Sequence, residues 1–265
     1  MARLRPPPAS TFFILTTGLI FAVLSNLPFY AWVYDPYWPW AERFPLSWLG
    51  AGMVYMAVFF HEIGHTITMW FFGYPALPMF DFAHGGGMSA MMGEQNMAVL
   101  AGVWAAIGYG IFALRGHLVL QAGLALLLLL NLALAFNDLH EPLINFMGHG
   151  FEALVAASLL FRALFNLAPR GSFERFLNAY FGFGLIFKAF IDFSGLLHNQ
   201  AHRLTYYNQK GAHGFGDFDR IKDHFYGSSF ADVVHAGLAL NAACLLVPFV
   251  LFIAARLLWR SEPEE

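Results

Sequence analysis

Residues 47–72 read SWLGAGMVYMAVFFHEIGHTITMWFF, an apolar stretch that is long enough to cross a lipid bilayer as a helix. Its only acidic or histidine side chains are His61, Glu62 and His65, and it contains no lysine or arginine. Such polar groups are costly at membrane depth unless a partner satisfies them. The stretch therefore predicts a membrane helix whose histidines and glutamate share a specific ligand or partner.

The overall composition is also that of a membrane protein. Hydrophobic residues make up 58% of the chain and charged residues 12%, whereas soluble domains carry about 25% charged residues. We expect an all-α integral membrane protein with about six to seven transmembrane helices, inserted as a multi-pass protein in the lipid bilayer of a bacterial-type inner (plasma) membrane. The apolar runs that predict these helices are 11–34, 47–72, 97–114, 117–136, 150–168, 176–197 and 229–257.

Charge and cysteine content narrow the kinds of partner and site that the chain can have. The net charge is −3 and no basic stripe or repeat is present, so nucleic acid is not an expected partner. The single cysteine, Cys244, excludes an intrachain disulfide framework and a cysteine-based metal cluster. A bound metal must therefore be held by histidines and carboxylates.

Two connections between the apolar runs are unusual. The segment 72–95 contains prolines and the glycine triplet 85–87 but no lysine or arginine, which predicts a re-entrant or β-hairpin segment after the second helix. The segment 137–148 carries Pro142 among polar residues and predicts an interruption of helix at membrane depth. Such breaks persist in lipid only where protein covers them or where they line a cavity.

The spacing of His61 and His65 points to metal chemistry. Residues four apart lie on one face of a helix, about one turn from each other. Two imidazoles at this spacing can bind one zinc ion, and Glu62 can then act as general base toward a water that the ion activates. The sequence therefore predicts a metal site on this helix, with Glu62 as the catalytic residue.

The stretch from Phe60 to Thr66, FHEIGHT, followed by FGYP at 72–75, resembles the site-2 protease family of intramembrane zinc metalloproteases. In that family a glycine-rich, partly extended segment follows the motif helix, and the triplet 85–87 takes that place here. A helix with small residues comes next, similar to residues 101–106, and residues 131–164 resemble the element that completes the site. The resemblance covers about residues 47–168.

The resemblance implies zinc as cofactor and hydrolysis of peptide bonds in a transmembrane protein substrate. Asn137 or Asn145 would hydrogen-bond the substrate or a developing oxyanion. On this basis the chain divides into an N-terminal transmembrane helix with an aromatic-rich loop at 1–46, a metalloprotease-like membrane core at 47–168, and C-terminal transmembrane helices with a histidine-rich polar loop at 169–265.

The third metal ligand is where the chain departs from the family. The family has a leucine-aspartate-glycine motif, but this chain has Met147-Gly148-His149-Gly150 in its place. Three completions are open: His149 in place of the aspartate, Glu152 one helical turn later, or an acid from the interrupted segment. The acids in that segment are Asp138 and Glu141. Because His149 and Glu152 are three residues apart on one helix face, both can point toward the metal.

A second group of histidines lies toward the C-terminus. His198 and His202 repeat the four-residue spacing, and Asp232 and His235 are three residues apart at the start of an apolar run. These residues predict a possible second metal site, or ligands that complete the first. Lys188 and Asp192, also four apart, predict an ion pair within the membrane.

The extra histidines keep two other functions open. Histidine binds iron and copper as well as zinc, so the alternative is a membrane-bound metal-dependent oxidoreductase or metal-handling protein with a His/carboxylate site. A second alternative is a catalytically inactive protease-fold subunit that acts with a membrane protein partner. The missing aspartate motif favours this second alternative, whereas the intact Glu62 argues against it.

Overall fold

The computed structural model describes residues 10–34, 45–82, 86–208 and 216–260, which are mainly helical. The aromatic-rich segment 35–44 and residue 85 of the glycine triplet lie outside the described residues. The helices are α1 Ser10–Tyr34, α2 Ser47–Phe71, α3 Met97–Ala113, α4 Leu118–Leu134, α5 His140–Leu164, α6 Ser172–His198, α7 Gln200–Asn208, α8 Asp217–His224 and α9 Phe230–Arg260, and the strands are β1 Ala76–Asp81 and β2 Gly86–Met91.

Four of the described helices are long and apolar enough to cross a membrane, judged by length and composition. They are Ser10–Tyr30, His140–Leu164, Ser172–His198 and Phe230–Leu258. The shorter helices α3 and α4 are also apolar, and large side chains such as Phe112 on α3 and Leu118 on α4 are exposed. The chain is therefore a helical membrane protein, as expected. The predicted membrane helix over 47–72 forms α2, which is not among these four, so its crossing of the membrane stays a prediction. The total of six to seven spans and the inner-membrane location also stay predictions.

The glycine-rich segment after α2 forms a β-hairpin, one of the two forms expected from the sequence. β1 and β2 pair antiparallel, with Ala76 opposite Met91 at one end and Asp81 opposite Gly86 at the other. Both strands pack against α2. The indole Nε1 of Trp70 donates a hydrogen bond of 2.8 Å to the carbonyl oxygen of Ala76, which fixes the start of β1 to the end of α2.

The helical core is formed where α5 and α6 pack together and against α1, α2 and α9. Small residues permit close helix approach at this centre. The sharpest case is Gly64, where an added Cβ would lie 2.2 Å from the carbonyl oxygen of Met147 and 2.5 Å from Cβ of Phe151. The absence of a side chain at Gly64 thus brings the middle of α5 onto the histidine motif of α2.

The interruption predicted over 137–148 is shorter in the structure. Helix α5 begins at His140 and continues without a break through residues 148–150. Pro142 lies in its first turn, where the missing backbone N–H has no intrahelical partner to lose. As a result, His149 and Glu152 lie in the middle of a long helix, where His149 does not act as a helix cap.

Candidate metal centre

The two motif histidines are held by acceptors on α5. Nδ1 of His61 lies 2.8 Å from Oε1 of Glu152, and Nδ1 of His65 lies 2.7 Å from the carbonyl oxygen of Ile144. An ionised carboxylate and a carbonyl oxygen can only accept, so the hydrogen-bond network assigns a proton to Nδ1 of both rings. Each neutral ring then presents its Nε2 lone pair on the opposite edge.

The two Nε2 atoms lie close together, and a carboxylate oxygen lies next to both. Nε2 of His61 and Nε2 of His65 are 2.9 Å apart. Oδ2 of Asp217, the first residue of α8, lies 3.0 Å from the former and 3.4 Å from the latter. Two lone pairs and a carboxylate oxygen at this separation repel one another unless a proton on one Nε2 or a metal ion lies between them. The three atoms therefore form a group that could hold a metal ion.

The spacing of the donor atoms fits a zinc ion. Zinc bonds to histidine nitrogen and carboxylate oxygen are about 2.0–2.2 Å long, so ligand atoms in a tetrahedral site lie roughly 3.3 Å apart. The separations of 2.9, 3.0 and 3.4 Å between the donors are close to that value. The Nδ1 contacts to Glu152 and Ile144 are the outer hydrogen bonds that ligating histidines usually make. The residues present thus fit a zinc ion bound by His61, His65 and Asp217.

Gly148 allows α5 to approach the histidine edges directly. An added Cβ at this position would lie 2.4 Å from Nε2 of His65 and 2.7 Å from Nε2 of His61. Real Cβ atoms essentially never approach heavy atoms that closely. Glycine at this position therefore leaves room for both imidazole rings.

Helix α8 carries Asp217 to the histidines because its apolar side is anchored in the protein. Phe218 and Ile221 are buried in a cluster with Phe193 and Val234. The ring of Phe218 also stacks on the ring of His149, with centroids 4.7 Å apart and an angle of 11° between the planes. This packing fixes the first turn of α8 and therefore the position of the carboxylate of Asp217.

The electrostatic environment favours the ionised form of Asp217. Burial alone would raise the pKa of its carboxyl group, but hydrogen bonds and positive charge from His61 and His65, when their Nε2 atoms are protonated, outweigh burial and hold that pKa well below its ordinary value. The carboxylate is thus in the form that a metal ligand requires at neutral pH.

Glu152 belongs to a buried group of charges behind the histidines. Its Oε2 lies 3.2 Å from Nζ of Lys188, and Nζ of Lys188 lies 3.1 Å from Oδ2 of Asp192. The predicted Lys188–Asp192 ion pair is therefore present, and it continues to Glu152. The ring of His149 packs edge-on against His61, and its Nδ1 lies 3.4 Å from Oε1 of Glu152. Glu152 thus lies on the Nδ1 side of His61. One ligand atom each of His61, His149 and Glu152 lie within 4.8 Å of one another, so these three residues form a second set that could hold a metal ion.

We expect Glu152→Gln to weaken zinc binding about 10- to 100-fold, because the amide cannot accept the Nδ1 proton of His61 as strongly as the carboxylate does. The measurement is a zinc titration of the detergent-purified protein against a chromophoric chelator. Glu174→Gln, which removes the distant ion pair with Arg162, is the matched control. Complete loss of zinc from Glu152→Gln would instead indicate that Glu152 is itself a ligand.

The general base predicted from the motif lies against the hairpin. Glu62 is buried, and Oγ of Ser89 on β2 lies 2.9 Å from its Oε2 and 2.8 Å from its backbone carbonyl oxygen. The base therefore lies between the helix that carries the histidines and the strand that follows it. Catalysis by Glu62 stays a prediction.

The two predicted substrate-binding asparagines have different surroundings. Asn137 is exposed and folds back on its own backbone, where Nδ2 donates to the carbonyl oxygen of Ala133 and Oδ1 accepts from the backbone N–H of Leu139. Asn145 is half-buried on α5, next to Ile144, whose carbonyl oxygen holds His65. Asn145 thus follows a residue that contacts His65, whereas Asn137 acts as a turn residue. The acids Asp138 and Glu141 are exposed.

The predicted second metal site is not assembled among the described residues. Within the part of the chain that the structure describes, the sets of three ligand atoms within 4.8 Å of one another are His61, His65 and Asp217, and His61, His149 and Glu152. His202 is buried against Gly195, and Asp232 bonds the hydroxyl and the backbone N–H of Ser229. His198 and His235 join neither set. Metal binding by this second group stays a prediction.

Sequence reasoning missed Asp217 and Ser89. Asp217 is 156 residues from His61 in the chain. A signal was present, since Phe218 and Ile221 place an apolar face on an acidic segment within an otherwise polar stretch. That pattern predicts a short helix docked on the core with its first residue near a site. Ser89 carries no comparable signal, because serine is common in loops.

Comparisons of the chain with models of protein families, with curated proteins and with solved structures found no match.

Proposed function

We propose that this protein is an intramembrane zinc metalloprotease that hydrolyses peptide bonds of transmembrane protein substrates. The observation that supports this most strongly is the convergence of Nε2 of His61, Nε2 of His65 and Oδ2 of Asp217 within 2.9–3.4 Å of one another. A set of two histidines and one carboxylate, with a glutamate next to one histidine, is the composition of a hydrolytic zinc site with an open position.

In this proposal each residue has a separate task. Zinc, when bound, polarises the scissile carbonyl group and makes water a better nucleophile at neutral pH. Glu62 accepts a proton from the attacking water and returns it to the leaving amine. His61, His65 and Asp217 hold the ion, while Glu152 and the Ile144 carbonyl hold the histidine rings in the required orientation.

The hairpin suits an extended substrate. In an antiparallel pair each strand has one edge engaged by its partner and another edge whose N–H and C=O groups can pair with a further strand. A transmembrane segment that unwinds near the site could add to such an edge of β1 or β2. Because β2 contacts Glu62 through Ser89, a substrate paired there would lie close to the base.

The test combines metal analysis with a cleavage assay that responds to metal removal. Protein purified in detergent is analysed for metal, reconstituted in liposomes and incubated with a library of single-pass transmembrane peptides, whose cleavage is followed by mass spectrometry. We expect about one zinc per chain, cleavage that 1,10-phenanthroline abolishes, and recovery of cleavage when zinc is restored. The double variant His61→Ala/His65→Ala should contain no zinc and cleave nothing.

Other outcomes favour the alternative functions. Stoichiometric iron or copper without peptide cleavage would favour a metal-dependent oxidoreductase or a metal-handling protein. Zinc at one ion per chain without cleavage of any peptide would favour an inactive protease-fold subunit. Cleavage that survives removal of both histidines would contradict the proposed site.

A further inference from the structure

Strand β2 packs against the side chain of Glu62 with two residues on the same face of the strand. Gly87 and Ser89 are two positions apart, and side chains two apart on a strand point to the same side. An added Cβ on Gly87 would lie 2.6 Å from Cγ and 3.1 Å from Cδ of Glu62. Oγ of Ser89 lies 2.9 Å from Oε2 of the same carboxylate. The hairpin thus contacts both the stem and the head of the glutamate.

The hydrogen bonds around Ser89 are directional. Oγ1 of Thr66, one helical turn after Glu62, donates to Oγ of Ser89 over 3.1 Å. The single hydroxyl proton of Ser89 is then available to Glu62, whose carboxylate oxygen and backbone carbonyl oxygen are both within reach. An ionised carboxylate is the stronger acceptor, so the proton points to Oε2. The order of donation is Thr66 to Ser89 to Glu62.

We propose that Ser89 is a positioning residue for the base, so that the β-hairpin sets the orientation of the Glu62 carboxylate. The proposal rests on the function proposed above. Ser89 holds Oε2, and the backbone at Gly87 closes the space into which the side chain could rotate. The other carboxylate oxygen, Oε1, is then left to accept the proton of the reacting water.

The arrangement also couples substrate binding to the base. A strand that pairs with the hairpin and moves it moves Ser89, and the hydrogen bond to Oε2 transmits that movement to the carboxylate. A site with an unpaired hairpin therefore holds the base in one orientation, and a site with a paired hairpin can hold it in another. The hairpin is, in this view, a part of the catalytic apparatus as well as a substrate-binding edge.

The test uses the cobalt-substituted protein and acetohydroxamic acid. This acid binds a metal as its anion and transfers its hydroxyl proton to a nearby base, so its affinity reports on Glu62 without any peptide substrate. Binding is followed by the visible absorption of cobalt. We expect Ser89→Ala to bind cobalt like the unmodified protein but to bind acetohydroxamic acid about tenfold more weakly.

Two further variants separate positioning from folding. Ser89→Thr keeps the hydroxyl group and should restore most of the acetohydroxamic acid affinity. Gly87→Ala keeps every hydrogen-bonding group but pushes on Cγ of Glu62, so it should weaken acetohydroxamic acid binding while cobalt stays bound. Ser158→Ala, at an exposed serine that donates to the carbonyl oxygen of Leu154 on its own helix, is the matched control and should change neither measurement.

Several outcomes would overturn the positioning role. The first is an affinity for acetohydroxamic acid that is unchanged in both Ser89→Ala and Gly87→Ala. The second is loss of cobalt from Ser89→Ala, which would indicate that Ser89 has a structural role instead. Failure of the proposed function has a different signature: the unmodified protein binds no cobalt, or Glu62→Gln leaves acetohydroxamic acid binding unaltered. In either of those cases both the proposed function and the positioning role of Ser89 would be wrong.

Discussion

Replacing Asp217 with alanine is expected to lower the zinc affinity of the protein by more than about a hundredfold, since loss of a partner outside the ligand set already costs 10- to 100-fold. The variant leaves two imidazole nitrogens with no anionic third donor. The measurement is a competitive zinc titration of the purified protein against a chromophoric chelator. Asp217→Asn should also bind weakly, because an amide oxygen carries no net charge.

The control for this experiment lies on the same short helix. Asp223 is exposed and pairs with Lys222, so Asp223→Ala should bind zinc as the unmodified protein does. If Asp217→Ala retains full affinity while His149→Ala loses the metal, the third ligand is on α5, as one completion predicted from the sequence requires. The two variants together therefore decide between α8 and α5.

Replacing Glu62 with glutamine is expected to lower the rate of peptide cleavage by about 10²- to 10⁴-fold, the usual contribution of a general base. Glutamine has nearly the same shape, but its amide cannot accept the proton of the attacking water. The zinc content should stay at the level of the unmodified protein, because His61, His65 and Asp217 are untouched. The measurement is the initial rate of cleavage of a peptide identified by the liposome assay.

A matched variant on the hairpin side checks that the effect comes from the base. Glu94 is an exposed acid that follows β2, and Glu94→Gln should cleave at the normal rate. A Glu62→Gln protein that keeps zinc and retains its cleavage rate would remove Glu62 from the mechanism. A Glu62→Gln protein that loses zinc would show that the carboxylate supports the metal site itself.

Features that depend on nearby residues could be predicted from the sequence. The pairing of His61 with His65 follows from helical periodicity, and the hairpin follows from glycine and proline content between two apolar runs. The Lys188–Asp192 ion pair also follows from a four-residue spacing, and the structure has it at 3.1 Å. In each case the partners lie within one helical turn or one connection, so residues that are close in the sequence are also close in space.

Features that depend on packing between distant segments could not be predicted. Glu152 and His149 both contact His61, as their spacing indicates. Lys188 on α6 binds Oε2 of Glu152 and so leaves Oε1 for His61, which the sequence does not show. Asp217 reaches the histidines because Phe218 fills a space between α5, α6 and α9, and no local pattern encodes that space. The start of α5 at His140 was not predicted because Pro142 in the sequence indicates a helix break, whereas proline is acceptable in the first turn of a helix.

The position of Asp217 in the chain has a consequence for biogenesis. The ligand atoms of the centre are contributed by residues 61 and 65 and then, 156 positions after His61, by the first residue of α8. A ribosome-bound chain that has exposed only α1 to α5 holds the histidines without their carboxylate partner, and closing so long a loop delays this contact until late in folding. A metal centre built in this way would stay incomplete while α1 to α7 are inserted and could bind its ion with all three ligands only after α8 has been synthesised.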